Sequence, residues 1–196
     1  MNEFIKCSEI QNKGFGYFSN LPIKKNTLIL KEHILVSINK HSKSKKLIEF
    51  YLIYNILKNK NLEDKFMNFA PLEIDSNCKS KESMHELLQN INVQKLKCFF
   101  SFLEIDTIIL LYEKIKRNCF ESENKIFVAF DGTKFNHACD ANVEYYFENG
   151  NLLFYACKDI KENEELTIQY VDHKYSYLLY PTYGFNCDCS LCSKIS

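Results

Sequence analysis

Residues 136–142 read NHACDAN and residues 164–170 read EELTIQY, and these two stretches decide what the chain can be. A histidine beside a cysteine invites a nucleophilic dyad in which the histidine is the base. Residues so close in sequence are seldom aligned for that role, and a thiolate held by a metal is a poor nucleophile. The sequence also lacks the G-x-S-x-G, P-loop and H-E-x-x-H patterns, so hydrolase and nucleotidase functions lose support.

The tail of the chain carries the ligands of a metal site. Residues 185–192 read FNCDCSLC, which places three thiols in six residues, at Cys187, Cys189 and Cys192. Zn²⁺ takes four thiolate or imidazole ligands tetrahedrally, and a C-x-C-x-x-C knuckle provides three of them. We expect Cys139 to be the fourth, because it lies in a loop-like stretch ahead of a predicted hairpin. The sequence therefore predicts one structural zinc ion per chain, with a chance cluster of reduced thiols as the alternative.

The cysteine count and the absence of targeting signals indicate the compartment. No charged segment followed by an apolar run opens the chain, and apolar runs such as Ile108–Tyr112 are too short to span a bilayer. We expect a soluble intracellular protein, in the nucleus or the cytoplasm, with its nine cysteines reduced and no contact with a membrane. The five cysteines outside the metal site are expected to be small buried hydrophobes. They are Cys7, Cys78, Cys98, Cys119 and Cys157.

Residues 13–17 read KGFGY and form a G-x-G turn near the N-terminus. Glycines mark tight turns in every fold, so this pattern alone is weak evidence. It fits a backbone that approaches a ligand closely, and it fits an ordinary hairpin turn equally well.

Hydrophobic patterning divides the chain into strands, a helical middle and further strands. Residues 47–57 are almost continuously apolar, residues 93–115 carry apolar side chains at helical spacing, and residues 59–83 are predicted to be a loop with a short helix. The Asn-Gly pair within 148–150 predicts a type I′ hairpin turn, which needs positive φ at both central residues. The predicted strands are 27–30, 34–38, 126–130, 143–147, 152–157 and 166–170. The fold class is α+β, mostly β with a helical insertion.

In their order along the chain, these motifs resemble those of the SET-domain protein lysine methyltransferases, and they are most similar to the SET-and-MYND branch. The shared elements are the glycine pair, Asn118 ahead of a strand, the two stretches quoted first and the cysteine-rich tail. The resemblance covers residues 4–38 and 113–192. The MYND zinc module of that branch is absent, because residues 39–112 hold only two cysteines.

Three further positions depart from the family pattern. Asn163 stands where glycine is usual, which is acceptable in a turn with positive φ. Phe135 replaces a leucine before the Asn-His pair, and residues 175–179 lack a basic residue that is common ahead of the tail. The last departure bears on how the tail docks and on which substrate is held.

The resemblance implies a β-clip-like SET fold whose C-terminal segment threads under a preceding loop. It divides the chain into N-terminal SET strands at 1–38, a helical insertion at 39–117, a C-terminal SET core at 118–172 and a zinc-binding post-SET tail at 173–196. S-adenosylmethionine and the peptide are then expected on opposite faces of the domain, with a narrow channel between them. Methyl transfer from the sulfonium requires a neutral lysine amine, so desolvation and positioning should dominate catalysis.

The resemblance also assigns roles to individual residues. Tyr170 is the expected catalytic tyrosine, and His137 is expected to form hydrogen bonds rather than to act as a base. The expected lysine channel consists of Phe120, Tyr170, Tyr183 and Phe185. The expected cofactor contacts are Lys13, Gly14, Phe15, Gly16, Tyr17, Asn118, Asn136, His137, Tyr170, Tyr183 and Phe185.

The charge distribution favours a basic partner. Residues 1–130 carry 20 basic and 15 acidic side chains, whereas residues 131–196 carry 5 basic and 10 acidic ones. An acidic C-terminal third suits a basic protein or peptide, such as a histone tail, and argues against direct nucleic-acid binding. We expect a monomeric S-adenosylmethionine-dependent protein lysine N-methyltransferase. The alternatives are a catalytically silent SET fold that binds a protein partner and, with less support, a zinc-dependent nucleic-acid binder.

Overall fold

The computed structural model describes residues 3–10, 13–41, 47–74 and 79–193. The chain forms two compact units, the first made of residues 1–33 and 131–196 and the second of residues 34–130. Cys78, expected to be buried, lies outside the described residues. Within the described residues, no helix is long and apolar enough to cross a membrane.

The elements follow the predicted order of strands, a helical middle and further strands. The strands are β1 (Ile5–Ile10), β2 (Gly14–Ser19), β3 (Leu28–His33), β4 (Val36–Asn39), β5 (Cys119–Glu121), β6 (Lys125–Val128), β7 (Asn136–His137), β8 (Val143–Glu148), β9 (Asn151–Ala156) and β10 (Glu165–Ile168). The helices are α1 (Ile48–Leu57), α2 (Lys60–Met67), α3 (Lys81–Gln89), α4 (Gln94–Phe100), α5 (Ile105–Asn118) and α6 (Leu179–Tyr183).

The first unit contains two sheets. One has the strand order β1-β2-β10-β7, with β10 antiparallel to β2 and parallel to β7. The parallel register pairs Thr167 with Asn136 and Ile168 with His137, so the motif at 136–142 lies beside the end of β10. The other sheet has the order β3-β9-β8. The two predicted motifs are thus neighbours through backbone pairing alone.

Two turns in this unit have the backbone conformation that their sequence requires. Asn149 and Gly150, which join β8 to β9, have φ values of 48° and 78°, as a type I′ turn needs. Asn163, ahead of β10, has a φ of 62°. Asparagine tolerates this left-handed region better than most residues, so the departure from the family's glycine is accommodated.

The second unit packs its helices around one apolar core beside the three-stranded sheet β4-β6-β5. The predicted helix over 93–115 is instead two helices, because the chain leaves the helical path at Ser101–Glu104. There the Ser101 hydroxyl donates to the Cys98 carbonyl at 2.8 Å, and Glu104 is extended with a ψ of 143°. Local hydrogen bonding of this kind competes with the helix and is invisible to apolar spacing.

Lys114 is buried inside the second unit. Its ammonium group donates to the carbonyl oxygens of Met67, Phe69 and Pro71. Burial lowers the pKa of this lysine. The three carbonyls are satisfied without water, so Lys114 fixes the loop that follows α2.

The expectation that the five other cysteines are buried is wrong for two of them. Cys7 and Cys98 are exposed, while Cys119 and Cys157 are half-buried. Cys7 lies on β1, which is the edge strand of its sheet, and Cys98 lies on the outer face of α4. Cysteine is tolerated on these surfaces, so residue type alone did not give its burial.

Candidate active site and zinc site

Three aromatic rings that follow β10 in the sequence lie next to one another in the first unit. The ring of Tyr170 lies 5.0 Å from that of Tyr183 and 6.4 Å from that of Phe185, and the latter two are 6.2 Å apart. We call these three residues the aromatic box. Their faces offer a desolvated, electron-rich surface that suits an alkylammonium or sulfonium group.

The hydroxyl of Tyr170 is fixed within the box. It donates to the backbone carbonyl of Phe135 at 2.8 Å. Burial raises the pKa of Tyr170 well above its usual range, and the neighbouring Tyr183 and Glu165 act in the same direction. The side chain is therefore a neutral phenol whose oxygen keeps its lone pairs for a further donor.

The ring of His137 lies 5.4 Å from the ring of Tyr170. Its Nδ1 accepts a 3.0 Å hydrogen bond from the backbone N–H of Tyr170, and its Nε2 lies 3.4 Å from the sulfur of Cys139. Burial lowers the pKa of His137 to about 4, so the imidazole is neutral near pH 7. A ring with both nitrogens engaged forms hydrogen bonds and does not serve as a mobile base.

The glycine pair and the Asn-His pair meet at Gly16. A Cβ atom on Gly16 would lie 2.6 Å from Nδ2 of Asn136 and 2.5 Å from Cδ1 of Ile10. The Asn136 amide in turn donates to the carboxylate of Glu165 at 2.9 Å. Only glycine leaves room for this arrangement, so Gly16 is needed for close packing of Asn136.

The residues around the glycines differ in exposure. Phe15 is 64% exposed, whereas Tyr17 is 6% exposed and packs edge-on against Phe135 at 5.0 Å. Gly14 has a φ of 74° and open space where a side chain would be. The Lys13 ammonium forms an ion pair with Asp188 at 2.9 Å, which joins this loop to the cysteine-rich tail. Lys13 and Phe15 thus remain on the surface, and Tyr17 belongs to the core.

The structure brings together the four cysteines predicted to bind zinc. The sulfur of Cys139 lies 3.9 Å from that of Cys187 and 3.6 Å from that of Cys192, and all four ligand atoms, including that of Cys189, lie within 4.8 Å of one another. A zinc–sulfur bond of about 2.3 Å in tetrahedral geometry places sulfurs about 3.8 Å apart. The four thiols therefore fit a zinc ion.

Two site residues from the sequence lie in the second unit. The Asn118 amide donates to the carbonyls of Ala70 and Lys114 at 2.7 and 2.8 Å, which also satisfies the end of α5. Phe120 is buried and stacks on Phe127 at 6.2 Å. Their contacts with a cofactor or a lysine stay predictions.

Sequence reasoning gave no role to three residues that hold the site together. Glu165 orients Asn136, and Asp188 pairs with Lys13. Buried Asn142 donates to the Glu165 carbonyl at 2.8 Å and accepts from the Thr167 N–H at 2.9 Å. All three lie within the quoted motifs, so their motif membership was the available signal.

Comparison with known proteins identifies the family. The SET domain family model matches residues 14–171, which is most of the chain. The chain belongs to the SET-domain family. A SET domain-containing protein, L678, of Acanthamoeba polyphaga mimivirus is 30% identical over 192 residues, covering 93% of this chain and 75% of that protein. A SET and MYND domain-containing protein of Dictyostelium discoideum is 44% identical over 66 residues, covering 30% of this chain and 12% of that one.

Solved structures confirm the SET fold. The SET domain of LSMT bound to MeLysine and AdoHcy superposes with a TM-score of 0.70 at 17% identity, covering 95% of this chain and 53% of that chain. This SET chain therefore spans about half the length of the solved protein that it matches. Human SMYD3, named a histone-lysine N-methyltransferase, is 40% identical over 62 residues, or 29% of this chain and 14% of that protein.

Proposed function

We propose that this SET domain is an S-adenosylmethionine-dependent protein lysine N-methyltransferase with Tyr170 as its catalytic residue. The observation that carries the proposal is the Tyr170 hydroxyl, held by the Phe135 carbonyl inside the aromatic box. Relatives named histone-lysine N-methyltransferases, and a SET structure with AdoHcy and methyl-lysine bound, support the same chemistry.

The residues present fit S-adenosylmethionine. Exposed Phe15 offers a ring for an adenine base, and the aromatic box suits the sulfonium. The Lys13 ammonium would bind the cofactor carboxylate in place of Asp188, its partner in this structure. The packing of Gly16 against Asn136 keeps the backbone of β2 close to the Asn136 side-chain amide of β7. We propose that Gly14, Tyr17 and His137 support this pocket; the contact of Asn118 with the cofactor stays a prediction. When bound, the cofactor would supply an electrophilic methyl group.

The protein's part in the reaction is to desolvate the lysine amine, to orient it and to exclude water. A lysine amine has a pKa of about 10.4 in water, so it must lose a proton before it attacks. An aromatic channel disfavours the ammonium form, and the Tyr170 oxygen can accept a hydrogen bond from the amine and aim its lone pair. We propose that Tyr183 and Phe185 line this channel; the part of Phe120 in it stays a prediction.

The zinc would be structural. Cys139 lies two residues after His137, and the other three ligands follow the aromatic box directly. A zinc ion held by all four would link these segments and keep Tyr183 and Phe185 against Tyr170. Metal binding would thus complete the box without taking part in the reaction.

A catalytically silent SET fold that binds a protein partner is the second candidate. The exposed aromatic side chains of Tyr175, Tyr177 and Tyr180, next to the box, favour a protein-binding surface. The retained Tyr170 hydroxyl and glycine loop favour the enzyme, because a binding module needs neither.

We infer that the substrate is a basic protein or peptide, of which a histone tail is one example. Several acidic groups of residues 131–196 are already neutralised, as Asp131, Asp159 and Asp188 form ion pairs with lysines. The exposed carboxylates of Glu144, Glu148 and Glu162 remain to attract a cation. We propose a monomer that acts in the nucleus or cytoplasm, where thiols stay reduced.

The test is incubation of the protein with isotope-labelled S-adenosylmethionine, a panel of histones and a cell lysate, followed by mass spectrometry. The proposal expects labelled methyl groups on lysine side chains. Cofactor binding without labelled lysine in any fraction would favour the silent binding module.

A further inference from the structure

The imidazole of His137 lies between the catalytic tyrosine and the four-sulfur group. Its Nδ1 is 3.0 Å from the backbone nitrogen of Tyr170, and its Nε2 is 3.4 Å from the sulfur of Cys139. The ring itself is buried. One side chain therefore contacts both parts of the site.

The hydrogen-bond partners fix the tautomer of this ring. A backbone N–H can only donate, so the Nδ1 that faces Tyr170 carries no hydrogen. A neutral imidazole then has its single N–H on Nε2, which faces the sulfur of Cys139. A thiolate sulfur is the better acceptor for this donor, so binding of a metal at Cys139 strengthens the contact.

The His137 ring also takes the place of a backbone acceptor beyond the end of the β7–β10 pairing. Pairing between β7 and β10 finishes with the Ala138 N–H donating to the Ile168 carbonyl at 3.1 Å. The backbone N–H of Tyr170, two residues further on, takes the His137 ring as its acceptor. The position of the Tyr170 backbone therefore depends on a side chain.

We propose that His137 is a positioning residue that couples the zinc site to Tyr170, donating from Nε2 to the Cys139 thiolate and accepting at Nδ1 from the Tyr170 amide. The orientation of the catalytic phenol then depends on metal occupancy. Side chains that hydrogen-bond metal ligands typically change metal affinity or activity 10- to 100-fold when replaced. The inference rests on the proposed methyltransferase function only where turnover is measured.

A second histidine provides a matched control. Nδ1 of His173 lies 3.8 Å from the sulfur of Cys192, on another ligand of the same group. The backbone N–H of Tyr170 bonds to His137 instead. Replacing His173 should therefore leave the hydrogen bond of the Tyr170 amide unchanged.

Two substitutions separate the two contacts of His137. In His137→Asn the amide oxygen can take the place of Nδ1, while the donor to sulfur is lost. In His137→Gln the amide nitrogen can take the place of Nε2, while the acceptor for Tyr170 is lost. Zinc-loaded proteins are compared by the rate of zinc release to a chelator and by hydrogen exchange of the Tyr170 amide.

The proposal expects a crossed result. His137→Asn should release zinc about 10-fold faster or more with Tyr170 exchange close to the parent, and His137→Gln should show the reverse. His137→Gln should also lower kcat more than it changes the KM for S-adenosylmethionine. His173→Asn should leave Tyr170 exchange unchanged.

Coupling through the ring also requires that removal of zinc from the parent protein changes exchange of the Tyr170 amide. Exchange that is equal with and without zinc, or variants that move neither reading, would overturn the proposal. Nitrogen NMR of the unaltered protein gives a test that needs no variant, because a hydrogen on Nδ1 of His137 would contradict the proposal. If no protein in the set transfers a methyl group, the proposed function fails, while zinc release, exchange and the tautomer still decide the role of His137.

Discussion

The hydroxyl of Tyr170 donates a 2.8 Å hydrogen bond to the backbone carbonyl of Phe135. This bond uses the only hydrogen of the phenol, so its oxygen can act toward a substrate only as an acceptor. An acceptor at the end of an aromatic channel orients an amine and leaves the amine's lone pair directed elsewhere. Parallel pairing of β7 with β10 brings the residues next to this carbonyl and this phenol together.

The ionisation of Tyr170 should appear in the pH dependence of stability. A free tyrosine loses its proton near pH 10, whereas burial keeps the folded Tyr170 protonated beyond that value. The unfolded chain therefore releases a proton first, and the free energy of unfolding should fall as pH rises above about 10. Urea unfolding of the parent and of Tyr170→Phe should show a smaller alkaline loss in the variant. Equal losses would mean that Tyr170 titrates normally.

Methyl transfer should rise with pH between neutral pH and about pH 10. The substrate amine becomes neutral as its pKa of about 10.4 is approached, while the Tyr170 phenol stays intact. Initial rates at saturating cofactor should climb from neutral pH toward about pH 10. A decline that begins at or below about pH 10 in stably folded protein would contradict a Tyr170 phenol that stays protonated over this range.

Replacing Gly16 with alanine should weaken S-adenosylmethionine binding. The new methyl group would overlap the Asn136 amide, and overpacking of this kind costs about 1–3 kcal/mol, or roughly 10-fold or more in affinity if Asn136 moves. Calorimetric titration measures the affinity. The matched control is Gly150→Ala, whose strain at a φ of 78° lies in the β8–β9 turn and should lower stability without changing cofactor affinity. Equal affinities in Gly16→Ala and the parent would remove Asn136 from the pocket.

Some features of the fold and of the site could be predicted from the sequence, and others could not. Asn149-Gly150 predicted its turn because the pair encodes positive φ locally. The zinc ligands were predictable because thiols have few other uses in such spacing, and the structure groups Cys139 with the tail. The break at Ser101–Glu104 was missed because a side-chain hydrogen bond ends the helix without changing apolar spacing.

The contacts that orient the site needed three-dimensional register. Glu165 meets Asn136 only because β10 lies parallel to β7, and Lys13 meets Asp188 across 175 residues of chain. Pattern and composition carry no information on such pairs. The double engagement of His137 belongs to the same class, since it depends on where two backbones end.

Purified protein should contain one zinc ion per chain. Removal of a ligand by Cys189→Ser should reduce the zinc content, and cofactor affinity should fall with it as the tail carrying Tyr183 and Phe185 loosens. Metal analysis and calorimetry measure both. Cys98→Ser, at an exposed thiol in the second unit, is the control that should keep the metal. Well-folded protein without zinc would rule out a structural metal.

Binding of a basic peptide should weaken with salt. Glu144, Glu148 and Glu162 are exposed, and charges at the surface are screened over about 8–10 Å at 0.1–0.15 M ionic strength. Affinity measured by fluorescence anisotropy should drop several-fold from low to high salt for a lysine-rich peptide. An affinity indifferent to ionic strength would leave these carboxylates without a part in substrate binding.

The most direct measurement is a comparison of the parent with Tyr170→Phe, in which methyl transfer is followed by mass spectrometry and S-adenosylmethionine affinity by calorimetry. The substitution keeps the ring of the aromatic box and deletes the hydroxyl that Phe135 holds. Turnover should fall about 100-fold or more, while cofactor affinity should stay within a few-fold of the parent. Turnover close to that of the parent would show that the Tyr170 hydroxyl does not act in catalysis.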